Sequence, residues 1–218
     1  MKIHQSQKKF LTCLVVLTVT AVLLSSCGTI NKNSTRTEST VIEKISADII
    51  TQPDITGLIN NSKIIISGKV LSVDPSVKVP IKFDYPDRVT KAEREKLENS
   101  EEGYYMFTVS EVEVSKVIKG DLKKGDVIKI YQLGGSSKEK TTIVEDIEYL
   151  KQGDIHILFI ADWDGKYTIT NSIQGDIKLV DQKSKVNNNN KLFQDGIAED
   201  ELISSIKSDV DKTKSTQK

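Results

Sequence analysis

The sequence predicts a mainly β domain, a small OB-like antiparallel β-barrel with one or two peripheral helices, including a C-terminal amphipathic helix. Three observations carry that expectation. Short runs rich in Val, Ile, Tyr and Phe recur from Ile64 to Val180. Glycines punctuate them at Gly120, Gly125, Gly134, Gly153 and Gly165, where strands of a small barrel must turn. Near the C-terminus Leu202, Ile206 and Val210 fall four residues apart with Ile203 beside them, the single apolar stripe of a docked helix.

In chain order, Pro53 and Asp54 start a short helix with Ile55, Leu58 and Ile59 on one face. Ile64 to Val73 is β-branched and reads as a strand, with a bulge at Gly68. Pro75, Pro80 and Pro86 are expected to break regular structure in 74–103, which reads as an insertion between two strands. Inside it Thr90 and Glu93 form a capping-box pattern that opens a charged surface helix. Tyr104 to Ile118 is the longest strand signal. Its apolar parity changes near Ser110 and Glu111, which predicts a bulge or a sharp bend there.

Val127 to Leu133 is the next strand, and 134–140 reads as a loop. Ile155 to Ala161 and Tyr167 to Thr170 are strands joined by the hairpin turn Asp162-Trp163-Asp164-Gly165. Asp176 to Val180 closes the sheet, 183–190 reads as a loop, and Glu199 to Asp211 is the C-terminal helix. The domain so bounded spans 45–211, with a polar tail over 212–218.

The N-terminus has a different character. Lys2, Lys8 and Lys9 precede an apolar run of 14 residues from Leu11 to Leu24, followed by Ser25, Ser26 and Cys27. A basic segment, an apolar segment and small residues before a cut are the layout of a secretory signal peptide, expected over 1–26. As a helix the run would reach about 21 Å, short of the roughly 30 Å hydrocarbon core. Residues 28–44 are small and polar, cannot bury enough apolar area to offset their ordering entropy, and read as a tether. Thus 27–44 forms the N-terminal link to the domain.

Leu24-Ser25-Ser26-Cys27 resembles the lipobox of bacterial lipoproteins. The resemblance implies a diacylglyceryl thioether on Cys27, cleavage just before it, and anchoring at the outer face of the cell membrane, in a layout typical of one-membrane bacteria. Two acyl chains hold a protein stably where one is marginal. Cys13 would leave with the signal peptide, so the mature domain has no disulfide, thiol nucleophile or Cys-ligated metal.

A second resemblance covers roughly 60–180. Ser62 to Val70 looks like the opening strand of a widespread group of exported bacterial proteins. Val114-Ser115-Lys116-Val117-Ile118-Lys119-Gly120-Asp121 resembles the signature that ends their long strand. Gly125-Asp126-Val127-Ile128, Gly134-Gly135 and Tyr149 to Asp154 ahead of Leu158-Phe159 continue the order. A similar order occurs in netrin-type modules, including the tissue inhibitors of metalloproteinases, which implies a netrin-like barrel. Those inhibitors use disulfides and a free N-terminal Cys on the protease metal. A chain without disulfides and with a lipidated Cys27 departs from that route.

Candidate chemistry is sparse. Asp162, Asp164 and Gly165 could begin a calcium loop, but Lys166-Tyr167-Thr168 supplies no further acid, so they read as a polar turn. His156 is the only histidine after the signal segment; one His without Cys makes no zinc site, and general-base catalysis is not its expected role. Glu93, Glu95, Glu98, Glu101 and Glu102 alternate with Lys91, Arg94 and Lys96 as a solvated face does. Tyr104, Tyr105, Phe107, Tyr131, Trp163 and Tyr167 are expected to be core or cross-strand residues first. Of these, Trp163, Tyr104, Tyr131 and Tyr167 are the residues named for a binding role, Trp163 foremost because it sits at a turn.

The 31 basic and 31 acidic residues balance; removing the three lysines of 1–26 leaves 28 against 31. That gives no electrostatic footprint for nucleic acid. No phosphate loop, nucleophile elbow or dinucleotide fingerprint appears, and no cofactor or metal is expected. The expected function is a membrane-anchored, non-catalytic binding module for an envelope protein or glycan, its oligomeric state open. The alternative is an envelope hydrolase or transferase using carboxylates of the 84–102 insertion.

Overall fold

The computed structural model describes residues 41–46, 51–80, 89–98, 100, 104–138 and 140–216. Cys27 and the signal segment lie outside these residues, as does the 81–88 part of the insertion. Among the described residues no helix is long and apolar enough to cross a membrane.

The elements in chain order are β1 (Val41–Ile45), α1 (Ile55–Asn61), β2 (Ile64–Pro80), α2 (Lys91–Glu98), β3 (Tyr104–Lys119), β4 (Val127–Leu133), β5 (Gly135–Ser136), β6 (Lys140–Val144), β7 (Ile155–Trp163), β8 (Lys166–Ile169), β9 (Asp176–Val180), β10 (Lys183–Val186) and α3 (Glu199–Thr216). The protein is mainly β. Seven strands form one sheet in the order β10-β9-β7-β2-β3-β4-β8, and β8 also pairs with β7, which closes five of them into a ring. Only the β4–β8 contact in that ring is parallel. A three-stranded sheet, β1-β6-β5, stands beside it.

Alternation along the strands divides the core in two. Inside the ring lie Ile64, Ile66, Val70, Val112, Val114, Ile128, Ile130, Leu158 and Ile160, with Leu150 among them. On the opposite face of β2, β7 and β9, Ile65, Ile157, Phe159, Ile177 and Leu179 pack under α1 and α3. The stripe expected on α3 is the one buried: Leu202, Ile203, Ile206 and Val210. Asp54 caps α1 by accepting from Gly57 N at 2.8 Å. Lys119 closes the other end, donating to the carbonyls of Ile59 and Ser62 at 2.7 Å each.

Several expectations need adjusting. β2 runs on through Pro75 to Pro80, because the register against β3 slips between Asp74 and Val77 and the proline sits in that irregularity. A bulge is where a missing N–H is tolerated. The slip expected in β3 near Ser110 is carried by β2 instead, between Val70 and Ser72, while β3 pairs with β4 in unbroken register from Phe107 to Glu113. A register shift does fall at Gly68, but the extra residue is Ser115 of β3; a Cβ at Gly68 would crowd Val112 and the Glu113 carbonyl.

Residues read as loops at 134–140 and 183–190 include β5, the start of β6, and β10. β1 takes up the last residues read as tether, pairing in parallel with β6, and α3 continues to Thr216. Each of these short strands is set by its partner rather than by its own apolar pattern: β1 by β6 far along the chain, β5 and β10 by short hairpins with β6 and β9.

Candidate functional site

Two places on β7 gather chemistry, one at each end of the strand. At its C-terminal end, Trp163 stands opposite Lys166 across a two-residue turn. Asp164 and Gly165 both have positive φ, 52° and 76°, as a type I′ hairpin turn requires. Asp162 secures the turn by accepting from Gly165 N at 2.9 Å and from Lys63 Nζ at 2.6 Å. These bonds, the Lys63 one foremost, hold its carboxyl below the usual carboxylate range. The Asp162 carboxylate is therefore engaged by the turn and by a lysine. Among the described residues no three His, Cys, Asp or Glu side chains are placed to hold a metal ion.

Trp163 joins a cluster of rings. Its ring centroid is 5.5 Å from that of Phe107 and 6.3 Å from that of Tyr105; Phe107 in turn meets Tyr131 edge-on at 6.2 Å. Tyr105, Phe107 and Tyr131 have the parity opposite to Val112 and Ile130, so they stand on the outside of the ring. Phe107 is 5 % exposed and acts as the base of the cluster, whereas Tyr105 and Trp163 are 41 % and 39 % exposed. Val77, paired with Phe107, is exposed beside them.

The structure thus brings Tyr131 and Trp163 together and leaves the other two named aromatics out of the cluster. Tyr104 takes the other parity of β3, opposite Pro80. Tyr167 packs against the ring interior. The rings that matter on the outside, Tyr105 and Phe107, were visible as a same-parity pair on the longest strand.

At the N-terminal end of β7, His156 shares the inward parity of Leu158 and Ile160 but meets polar groups. Its side chain is 5 % exposed, with Nδ1 2.6 Å from Asp176 Oδ1 on β9 and Nε2 3.9 Å from Asp154 Oδ2. Asp154 Oδ2 is itself 2.6 Å from Lys178 Nζ. The Asp176 carboxylate accepts a hydrogen bond from Nδ1–H, which leaves Nε2 as the second ring nitrogen. That nitrogen is buried and makes no hydrogen bond to any described residue. The His156 residue borders a cavity of about 40 Å³ with Tyr149, Ser172, Lys178, Lys185 and Asn187. Comparison with known proteins returned no matching family model, no matching curated protein and no matching solved structure.

This pairing leaves no local signature in the sequence. His156 and Asp176 lie twenty residues apart and meet only because β7 and β9 pair, with His156 opposite Lys178.

The acidic insertion forms no comparable site among the described residues. Glu93 accepts from Thr90 N at 2.8 Å and from Thr90 Oγ1 at 2.7 Å, closing the expected capping box. Those bonds hold its carboxyl below the usual range. Glu95 lies 3.8 Å from Lys91. The side chains of Glu98, Glu101 and Glu102 fall outside the described residues.

Proposed function

We propose that this chain is a surface lipoprotein anchored to the cell membrane by lipid on Cys27, and that its folded part is a non-catalytic binding module of the cell envelope. The observation that carries the binding role is the aromatic face: Tyr105 and Trp163 are about two-fifths exposed on a buried base of Phe107, with a polar hairpin beside them. Exposed rings held rigidly by a sheet lose little freedom on contact. The exposed rings favour a glycan, whose C–H faces stack on aromatic side chains. The anchoring rests on Leu24-Ser25-Ser26-Cys27 after an apolar segment.

The closed ring supports the finer reading of the fold as an OB-like, netrin-like barrel. Numbering its strands in chain order β2, β3, β4, β7, β8, the ring runs first, second, third, fifth, fourth, with the third and fifth parallel. That order supports reading the ring as a five-stranded Greek-key barrel. The hydrolase or transferase alternative draws no support from the insertion, whose described carboxylates cap a helix or face a lysine.

The test uses the full-length protein on isolated cell-envelope fractions. Saturable binding is expected for the parent and is expected to disappear in Tyr105→Ala/Trp163→Ala, while Cys27→Ala releases the protein from the membrane with binding intact. Undiminished binding by the double variant would remove the aromatic face from consideration, and membrane retention of Cys27→Ala would remove the lipid anchor.

A further inference from the structure

We propose that the outer edge of β1 is a pairing surface for a second copy of this chain, the two β1 strands joining antiparallel about a twofold axis into one sheet shared by both molecules. β1 ends the order β1-β6-β5, so one of its edges pairs with β6 and, among the described residues, no strand pairs with the other. One bond fixes which backbone groups point where. The Ile45 carbonyl accepts from Glu145 N at 3.0 Å. The amide and carbonyl of one residue point the same way, and successive residues alternate. Val41, Glu43 and Ile45 therefore turn theirs toward β6, and Ile42 and Lys44 turn theirs outward. Such a row is a template for a further strand. No proline or bulge interrupts it, since β1 keeps its register with β6 over all five residues. Ile42 and Val41 are also the most exposed large hydrophobic residues described, at 66 % and 62 %.

The occupant is a second copy because the strand complements itself. About an axis through Glu43 all five residues overlap. Ile42 exchanges its backbone bonds with Lys44 of the second copy, Lys44 with Ile42, and Val41 meets Ile45, so every outward group is satisfied. Like charges directly opposite one another destabilise a strand pair, but each Glu43 already holds Lys140 at 2.8 Å. The centre thus carries two carboxylates and two ammonium groups. Twofold pairing occupies both edges and closes at a dimer. Five residues a side is far fewer than the roughly 20–30 a side of a stable interface, so pairing depends on a high local concentration. Here the inference rests on the proposed anchor: Val41 follows Cys27 by fourteen residues, and a shared membrane supplies that concentration.

The experiment is cysteine trapping of the full-length protein on intact cells under a mild oxidant, one position at a time. Residues opposite each other on the axis have Cα atoms about 4.5 Å apart, within disulfide reach, whereas residues 42 and 44 would lie about 7–8 Å from their own counterparts. Disulfide-linked dimer is expected for Glu43→Cys at least about tenfold above Ile42→Cys, Lys44→Cys and the exposed α3 position Lys207→Cys. With Glu43 intact, energy transfer between labelled copies on lipid vesicles is expected. Ile42→Pro, which deletes an outward N–H and no bond to β6, is expected to abolish it. Dimer at Glu43→Cys no greater than at Lys207→Cys, a maximum at position 42 or 44, or energy transfer unchanged by Ile42→Pro would overturn the proposal. Fractionation of the same cells reports the anchor separately. Protein in the soluble fraction counts against Cys27, and a dimer missing at position 43 counts against β1 in either fraction.

Discussion

At one end of β7 a histidine is sealed among charged groups; at the other a tryptophan stands two-fifths open to solvent. The same strand carries both, on faces of opposite parity. His156 points inward, where β9 and the segment leading into β7 surround it, and its Nδ1 is committed to Asp176. Trp163 lies past the last contact of β7 with β2, where only the β8 hairpin flanks it, so its ring leans on Phe107 and keeps one side free. The difference teaches that in this domain depth of strand pairing, rather than residue type, decides which side chain is structural and which is available.

The largest effect is expected midway between the two ends. Phe159 is fully buried beneath α3, and Phe159→Ala should destabilise the protein by about 3–5 kcal/mol in denaturant unfolding. If the loss were under about 1 kcal/mol, the two ends could not be regarded as parts of one packed strand.

Asp176→Ala comes next. It removes the partner of a buried imidazole and should cost about 1.5–3 kcal/mol, the range for a hydrogen bond to a charged group. A neutral outcome would mean that His156 finds another acceptor, and the contrast between the ends would weaken.

Trp163→Ala should cost less, about 0.5–1.5 kcal/mol for the lost ring contacts, while abolishing envelope binding. A stability loss as great as that of Phe159→Ala would make Trp163 a core residue.

The smallest effect is electrostatic. Asp162 is depressed by Lys63, so its contribution to stability is present above the ordinary carboxylate range and fades as pH falls through its lowered value. In Lys63→Met the Asp162 titration followed by NMR should move up toward the ordinary range. An unchanged titration would assign the depression to the Gly165 N–H instead.

The sequence made much of this fold legible where a signal was local. β4 and β9 have the predicted limits, the α3 stripe is the buried one, and the Asp-Gly turn after Trp163 is present. What was not legible depends on a strand's partners rather than on its own apolar pattern. β10 has only four residues, and Ser184 within it is fixed by the 194–197 segment through bonds to Gln194 and Ile197. β2 continues past Pro75 because β3 offers it a partner across a slip in register. The same holds for the sites. A tryptophan at a turn can be read from a string of letters, but a histidine facing a carboxylate across two strands cannot.

Ring closure also governs how copies of this protein can meet. The two ends of the strand order are β10 and β8. The first is covered by the chain at Gly196 and Ile197, which exchanges backbone hydrogen bonds with Ser184, and the second is joined to β7. Neither presents an unshielded row of amides and carbonyls on which a neighbour could lay a strand. Among the described residues the seven-stranded sheet therefore offers a neighbouring copy no free end to extend, and strand-to-strand contact between copies falls to the outer edge of β1 in the three-stranded sheet.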